Sequence, residues 1–224
     1  MIKSSIMPLK IELNYSTNFS TYKRNKKSIN YIIFHYTGMK SEAKAIRRLT
    51  NEWSKVSCHY FVKNNGTIIQ MVPDKYVAWH AGKSRWKRLK FLNKFSIGIE
   101  IQNKGHQHGY TNFKKVQIDS IINLSKVICK ENNIKKKNIL GHSDVSYDRK
   151  NDPGEKFPWE TLAKNNLGLW HNINKSNLKK FRMKILNKKE TTDFFSNLKK
   201  IGYYVKSEKL LKKKINSCFS KKVS

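Results

Sequence analysis

Acidic residues are scarce in this chain: fifteen Asp and Glu stand against forty-seven Lys and Arg, for a formal charge of +32. Such an excess attracts polyanions by steering and counterion release, so nucleic acid, an anionic membrane surface and an acidic cell-wall polymer are all candidate partners. Arginine is itself sparse beside lysine, whereas Asn and Ile are abundant. The plainer reading is therefore the coding bias of an AT-rich genome, since selective binders favour arginine forks. Zinc-finger spacing and an RRM-like aromatic signature are both missing, so no specific nucleic-acid partner is expected.

Cysteine is equally rare. Cys58, Cys129 and Cys218 are scattered with no CxxC spacing, which excludes a disulfide framework and fits a reducing compartment. No run of 18 apolar residues exists, so no transmembrane helix is expected. Near the N-terminus, Ile2, Ile6, Met7, Leu9 and Ile11 are broken by Lys3, Lys10 and Glu12, too interrupted for the apolar region of a signal peptide. The expectation is a cytoplasmic protein, with the cell envelope as the alternative. No internal repeat is found.

At 224 residues the chain exceeds one typical domain and falls short of two, which predicts a main domain with a small appendage. Residues 1–28 are polar, basic and aperiodic, and read as an arm that wraps rather than builds the core. Asn30–Tyr36 is the first clear strand. Ser41 offers an N-cap for a helix running to about Trp53, with Ala45, Ile46, Leu49 and Trp53 at helical spacing. His59–Lys63 and Thr67–Val72 form two strands joined by Asn64-Asn65-Gly66, the strongest hairpin signal present. Ser96–Gln102 alternates strictly, with Ile97, Ile99 and Ile101 on one face and Gly98, Glu100 and Gln102 on the other.

A long amphipathic helix is predicted over Phe113–Asn132, on Ile118, Ile121, Ile122, Ile128 and Cys129. A short strand, Asn138–Leu140, then leads into Gly141-His142. Alternation of strands and helices predicts an α/β domain at residues 29–170, followed by a Lys- and Asn-rich linker at 171–188. Residues 189–224 read as a small helical module, from Phe194, Phe195, Leu198 and Ile201, then Leu210, Leu211, Ile215 and Phe219.

The chemistry concentrates in two places. His35 lies within the apolar run Tyr31-Ile32-Ile33-Phe34-His35-Tyr36, and Gly141-His142-Ser143-Asp144-Val145 is followed, ten residues after its histidine, by Asp152-Pro153-Gly154. Alone, His35 reads more readily as a satisfied core histidine than as a ligand, because an unpaired buried imidazole costs free energy. With His142 and Asp152 it completes two histidines and a carboxylate, the set a catalytic zinc needs if one tetrahedral position is to stay open for water. Asp152 precedes a proline, which restricts how its carboxylate is presented.

Glu100, aimed off the apolar face of its strand, is the candidate general base, and an exposed, salt-bridged strand carboxylate is the competing reading. Lys150, two residues before Asp152, is a candidate oxyanion stabiliser, or one more surface lysine. In Trp79-His80-Ala81-Gly82 the tryptophan and His80 read as a wall for a sugar or peptide ligand, although His80 also suits a second hydrogen-bonding layer or a structural role. His59 is assigned to structure. His106 and His108 form an HxH pair in a loop that reads as solvated, and His171 carries no signal.

The ordered set Phe34-His35-Tyr36-Thr37, Cys58-His59-Tyr60-Phe61, Asn65-Gly66-Thr67-Ile68, Ala78-Trp79-His80-Ala81-Gly82, Ile97-Gly98-Ile99-Glu100, Gly141-His142-Ser143-Asp144-Val145 and Arg149-Lys150-Asn151-Asp152-Pro153-Gly154 resembles the zinc N-acetylmuramoyl-L-alanine amidases over residues 30–170. That superfamily also holds the peptidoglycan recognition proteins, which usually carry cysteine before the Pro-Gly pair. Asp152 aligns the chain with the bacterial enzymes instead. Phe157-Pro158-Trp159 and Gly168-Leu169-Trp170 are most similar to the AmiD/AmpD-like branch, the 1,6-anhydro-muropeptide amidases.

The resemblance implies a central mixed β-sheet flanked by helices with zinc in a cleft. It implies hydrolysis of the amide between N-acetylmuramic acid and the L-alanine of the stem peptide, on peptidoglycan or an anhydromuropeptide. By family pattern His35, His142 and Asp152 match the Zn2+ ligands, Glu100 the catalytic carboxylate and Lys150 the oxyanion-stabilising lysine. The tail resembles a reduced peptidoglycan-binding module. A noncatalytic peptidoglycan-binding protein on the same fold is the alternative, and all five matched positions are intact.

Overall fold

A computed structural model describes residues 9–205. In chain order the elements are β1 (Ile11–Leu13), β2 (Phe19–Ser20), β3 (Tyr31–Tyr36), α1 (Glu42–Thr50), β4 (Tyr60–Val62), β5 (Ile68–Gln70), β6 (Val77–Ala78), β7 (Arg85–Trp86), β8 (Leu89–Lys90) and β9 (Ser96–Ile101). They are followed by α2 (Lys115–Asn132), β10 (Ile139–Gly141), α3 (His142–Val145), α4 (Trp159–Lys164), α5 (Lys175–Met183) and α6 (Lys188–Ile201). Six strands form one sheet in the order β1-β5-β4-β9-β3-β10. The β4–β5 hairpin is antiparallel and every other neighbouring pair is parallel, so the sheet is mixed, as the resemblance implied.

Alternation along β9 and β3 divides the core. Ile97, Ile99 and Ile101, with Ile32 and Phe34, face Ile118, Ile121, Ile122 and Ile128 of α2. Both central strands are therefore covered on this side, as parallel strands require. Tyr31 and Ile33 point the other way and pack with Ala81, Trp86, Leu92, Leu140 and Val145. Beside them Ala45 and Leu49 of α1 cover Phe61 and Ile69. His35 is the next residue on the Tyr31–Ile33 face, at the carboxyl end of β3, where ligand crevices of parallel sheets form.

Four sequence expectations change. The helix capped by Ser41 stops at Thr50, because Asn51 caps a separate turn at Glu52–Ser54, and Trp53 is left 80% exposed rather than on the buried face. The N-terminal arm does more than wrap. Its β1 extends the sheet beside β5, while Ser16 donates to the Leu49 carbonyl at 2.5 Å and Asn18 to the Asn51 carbonyl at 2.8 Å. The stretch read as a linker contains α5, capped by the Asn174 side chain. The module's first helix begins at Lys188, earlier than its apolar residues indicate, because Asn187 and Glu190 form a capping box. The second helix expected around Leu210, Leu211, Ile215 and Phe219 lies outside the described residues, as does Cys218. No helix among the described residues is long and apolar enough to cross a membrane.

Candidate metal centre and catalytic cleft

Three elements converge on one point. β3 delivers His35, and β10 runs parallel to it with Gly141 opposite Phe34, so His142 emerges at the first turn of α3 beside His35. Asp152 returns on the following loop, where Ser143 N–H donates to its carbonyl at 2.8 Å. The loop approaches this closely because residue 141 is glycine: a Cβ there would stand 2.7 Å from Pro153 Cδ. His35, His142 and Asp152 are all buried.

Their donor atoms form a nearly equilateral triangle. His35 Nδ1 lies 2.9 Å from His142 Nδ1 and 3.0 Å from Asp152 Oδ2, and His142 Nδ1 is 3.0 Å from the same oxygen. Among the described residues this is the one group of three such side chains placed to hold a metal ion. Ligands at ~2.0–2.1 Å around a tetrahedral zinc stand about 3.3 Å apart. The triangle closes on that spacing to within a few tenths of an ångström.

Hydrogen-bond direction shows what the triangle contains. Ser96 Oγ is 2.6 Å from the Leu92 carbonyl oxygen, and only the hydroxyl proton can lie between them. Ser96 Oγ must then accept from His80 Nε2–H, 3.2 Å away, which leaves His80 Nδ1 as an acceptor. His35 Nε2–H fills that role at 3.0 Å. His35 Nδ1 therefore carries no proton. On the other ring, His142 Nε2–H donates to the Ala81 carbonyl at 3.2 Å, so a neutral His142 also presents a bare Nδ1. Two nitrogen lone pairs and a carboxylate oxygen then meet with no proton among them, an arrangement that a shared cation resolves.

The charges agree. Burial, with His142 adding to it, pushes His35 down to about 4 against the opposing pull of Asp152. Burial acts upward on Asp152, but His142 and His35 outweigh it and hold the carboxyl well below its ordinary range. His35 thus presents a neutral imidazole and Asp152 an ionised carboxylate, the forms that bind metal.

Glu100 is paired in register with His35 on the adjacent strand, so both project from one face of the sheet. Its Oε2 is buried without a hydrogen-bond partner. Burial first, then Asp152, pushes its carboxyl up to about 8, with Lys150 acting in the opposite direction. Lys150 is half-buried, and its positive charge also lowers His35. A carboxyl of raised proton affinity and an ammonium thus flank the donor triangle.

The geometry narrows two sequence assignments. His80 takes the second of its two readings: it is buried behind His35 as a further hydrogen-bonding layer, with both ring nitrogens occupied, by His35 and by Ser96. The slot exists because residue 98 is glycine, where a Cβ would fall 2.3 Å from the His80 ring. Trp79 is half-buried, and its indole N–H is donated to Ser20 Oγ at 3.3 Å, not offered to a ligand. His59 has the structural place expected of it, with Nδ1 accepting from Gly98 N–H at 3.0 Å. His106 does not pair with His108. It bonds Tyr36 Oη and Glu155 Oε2, each at 2.9 Å, and packs on Tyr110 at 4.5 Å between ring centres.

Ser96, Asn93 and that aromatic rim were not found from sequence. Ser96 had a usable signal, lying four residues before Glu100 on the same strand face. Asn93, whose Oδ1 accepts from the His80 and Ala81 amides at 3.2 and 2.7 Å, had none.

The known proteins that this chain resembles are amidases. The chain is 34% identical over 192 residues to the N-acetylmuramoyl-L-alanine amidase AmiD of Escherichia coli (strain K12), covering 80% of this chain and 68% of that protein. It is 40% identical over 107 residues to the 1,6-anhydro-N-acetylmuramyl-L-alanine amidase AmpD of Haemophilus influenzae, covering 47% of this chain and 56% of AmpD. The chain therefore spans little more than half of that relative.

Among solved structures, E. coli AmiD in complex with the substrate anhydro-N-acetylmuramic acid-L-Ala-D-gamma-Glu-L-Lys superposes with a TM-score of 0.68 at 31% identity, over 84% of this chain and 76% of that one. AmpDh3 of Pseudomonas aeruginosa in complex with anhydromuramic pentapeptide gives 0.68 at 26% identity, over 89% and 83%. A family model described as N-acetylmuramoyl-L-alanine amidase matches residues 25–155, a span that takes in the donor triangle, Glu100 and Lys150, and the chain belongs to that family.

Proposed function

We propose that the chain is a zinc-dependent amidase that cleaves the bond between (anhydro-)N-acetylmuramic acid and the L-alanine of the stem peptide, in peptidoglycan turnover or recycling. The observation that carries the reading is the buried, proton-free triangle of His35, His142 and Asp152 with Glu100 beside it. These three residues would hold the metal. Zinc supplies Lewis-acid activation of water and of the amide carbonyl at neutral pH.

The remaining work falls to the chain's own groups. In its ionised form, which Lys150 favours and a cation held by the triangle would favour further, Glu100 takes a proton from the attacking water as the water oxygen bonds to the carbonyl carbon, then returns it to the alanine nitrogen as the C–N bond breaks. The products are a muramyl carboxylate and a peptide with a free amino terminus. Lys150 offsets the negative charge that develops on the carbonyl oxygen. His80 and Ser96 hold His35 in the tautomer that leaves Nδ1 free, and the Ala81 carbonyl does the same for His142.

The test is mass spectrometry of anhydromuramyl-tripeptide incubated with purified protein, with and without a chelator, alongside Glu100→Ala. Chelator-sensitive release of tripeptide, lost in the variant, supports the reading. Absence of release from this fragment and from intact sacculi, with metal bound, would move the chain to a noncatalytic peptidoglycan-binding role.

A further inference from the structure

The last described helix, α6, ends on the β7–β8 hairpin and on the turn that carries His142. After α6, Gly202 and Tyr203 dock on the β7–β8 hairpin: Lys87 N–H donates to the Gly202 carbonyl at 2.6 Å, and the Tyr203 ring meets Trp86 edge-on at 4.9 Å. Residue 202 has to be glycine for this seat, since a Cβ would stand 2.6 Å from Trp86 Cε2. Phe195 of the same helix is buried. The hairpin follows directly on the Ala81 segment, whose carbonyl accepts from His142 Nε2–H.

The second contact is more direct. Tyr203 O–H donates to Asp144 Oδ1 at 2.5 Å, and the other carboxylate oxygen, Oδ2, accepts from Gly141 N–H at 2.7 Å. Asp144 therefore bridges the tail to the residue immediately before His142, across the first turn of α3. That turn is only four residues long, Gly141 offers it no side-chain cap, and Asp144 closes it. The turn that presents His142 thus rests on a carboxylate that the tail segment holds.

We infer that Tyr203 is a positioning residue of the metal centre, acting through Asp144 on the turn that presents His142. The inference rests on the zinc reading for its functional consequence, but its structural content does not. Groups bonded directly to a metal ligand are worth roughly 10–100-fold in metal affinity, and Tyr203, one contact further out, is expected at the low end of that range. One hydrogen bond holding a turn is worth about tenfold in its opening.

The experiment uses the full chain with Tyr203→Phe, which keeps the ring on Trp86 and removes only the hydroxyl. Zinc affinity is read by competition with a chromophoric chelator, and the exchange rate of the Gly141 amide by NMR in metal-free protein. The expected results are a roughly tenfold loss of zinc affinity and roughly tenfold faster Gly141 exchange. Both effects should vanish in an Asp144→Ala background, where the bridge is already cut.

Unchanged Gly141 exchange, or an exchange effect that persists undiminished with Asp144→Ala, would overturn the proposal. A drop in thermal stability with zinc affinity intact would overturn it too, by reducing Tyr203 to a docking residue. Should the wild-type chain bind no zinc, the proposed function fails on its own. The Gly141 measurement then still decides whether Tyr203 positions the turn.

Discussion

Replacing Glu100 by glutamine should destroy activity and, in metal-free protein, raise stability at alkaline pH. The carboxyl is held up at about 8 against an ordinary 4.5, with burial the largest cause. The sign follows from proton counts. Below 4.5 both folded and unfolded chains hold the proton, and Glu100 has no pH-dependent effect. Between 4.5 and 8 the unfolded chain has released a proton that the folded chain retains, so stability falls as pH rises. Above 8 both are ionised and the full cost is present.

At about 1.4 kcal/mol per pH unit, that cost is on the order of 5 kcal/mol at most, because Glu100 is only partly buried. Glutamine cannot ionise. Urea melts of chelator-treated wild type and Glu100→Gln should coincide near pH 4.5 and diverge by several kcal/mol at pH 9, with the variant more stable. The same variant should lose about 10²–10⁴-fold in turnover, the range for a general acid-base group. Stability curves that stay parallel from pH 4.5 to 9 would refute the argument that burial holds Glu100 protonated.

Three further outcomes are expected. Ser96→Ala removes the acceptor that orders the His80 and His35 tautomers, and should weaken zinc binding roughly 10–100-fold in a chelator competition. Unchanged affinity would break that chain of reasoning. Lys150→Ala should lower turnover about 10²–10³-fold with little change in zinc content, read by initial rates and metal analysis together. The chain's excess of +32 should make hydrolysis of sacculi fall with added salt, while cleavage of a small neutral muramyl amide does not. Equal salt sensitivity of the two would count against a separate charge effect.

The parts of this molecule legible in its sequence are those where residue type and spacing are themselves the physics. Alternation in Ser96–Gln102 places Glu100 on the face opposite Ile97, Ile99 and Ile101, and those isoleucines do pack beneath α2. The pairing of His35 with Glu100, by contrast, depends on which strands become neighbours. The choice between the two readings of His80 was not local: the slot that buries it is the missing side chain of Gly98, on strand β9. Trp53 failed for the opposite reason, since its helical spacing continued past Asn51, a local cap strong enough to end the helix. The edge strand β1 was invisible because Ile11, Glu12 and Leu13 are all exposed, so no alternation of burial is written into it. Likewise nothing near Tyr203 in sequence announces Asp144, the partner it reaches 59 residues away.

The central claim, that three buried side chains hold one catalytic zinc ion, is tested most directly by titrating zinc into chelator-stripped protein while following tripeptide release from anhydromuramyl-tripeptide. The account predicts that activity returns linearly and saturates at one zinc per chain, and that His142→Ala neither retains the metal nor recovers. Full activity in the stripped protein, or recovery by His142→Ala at the same stoichiometry, would contradict it.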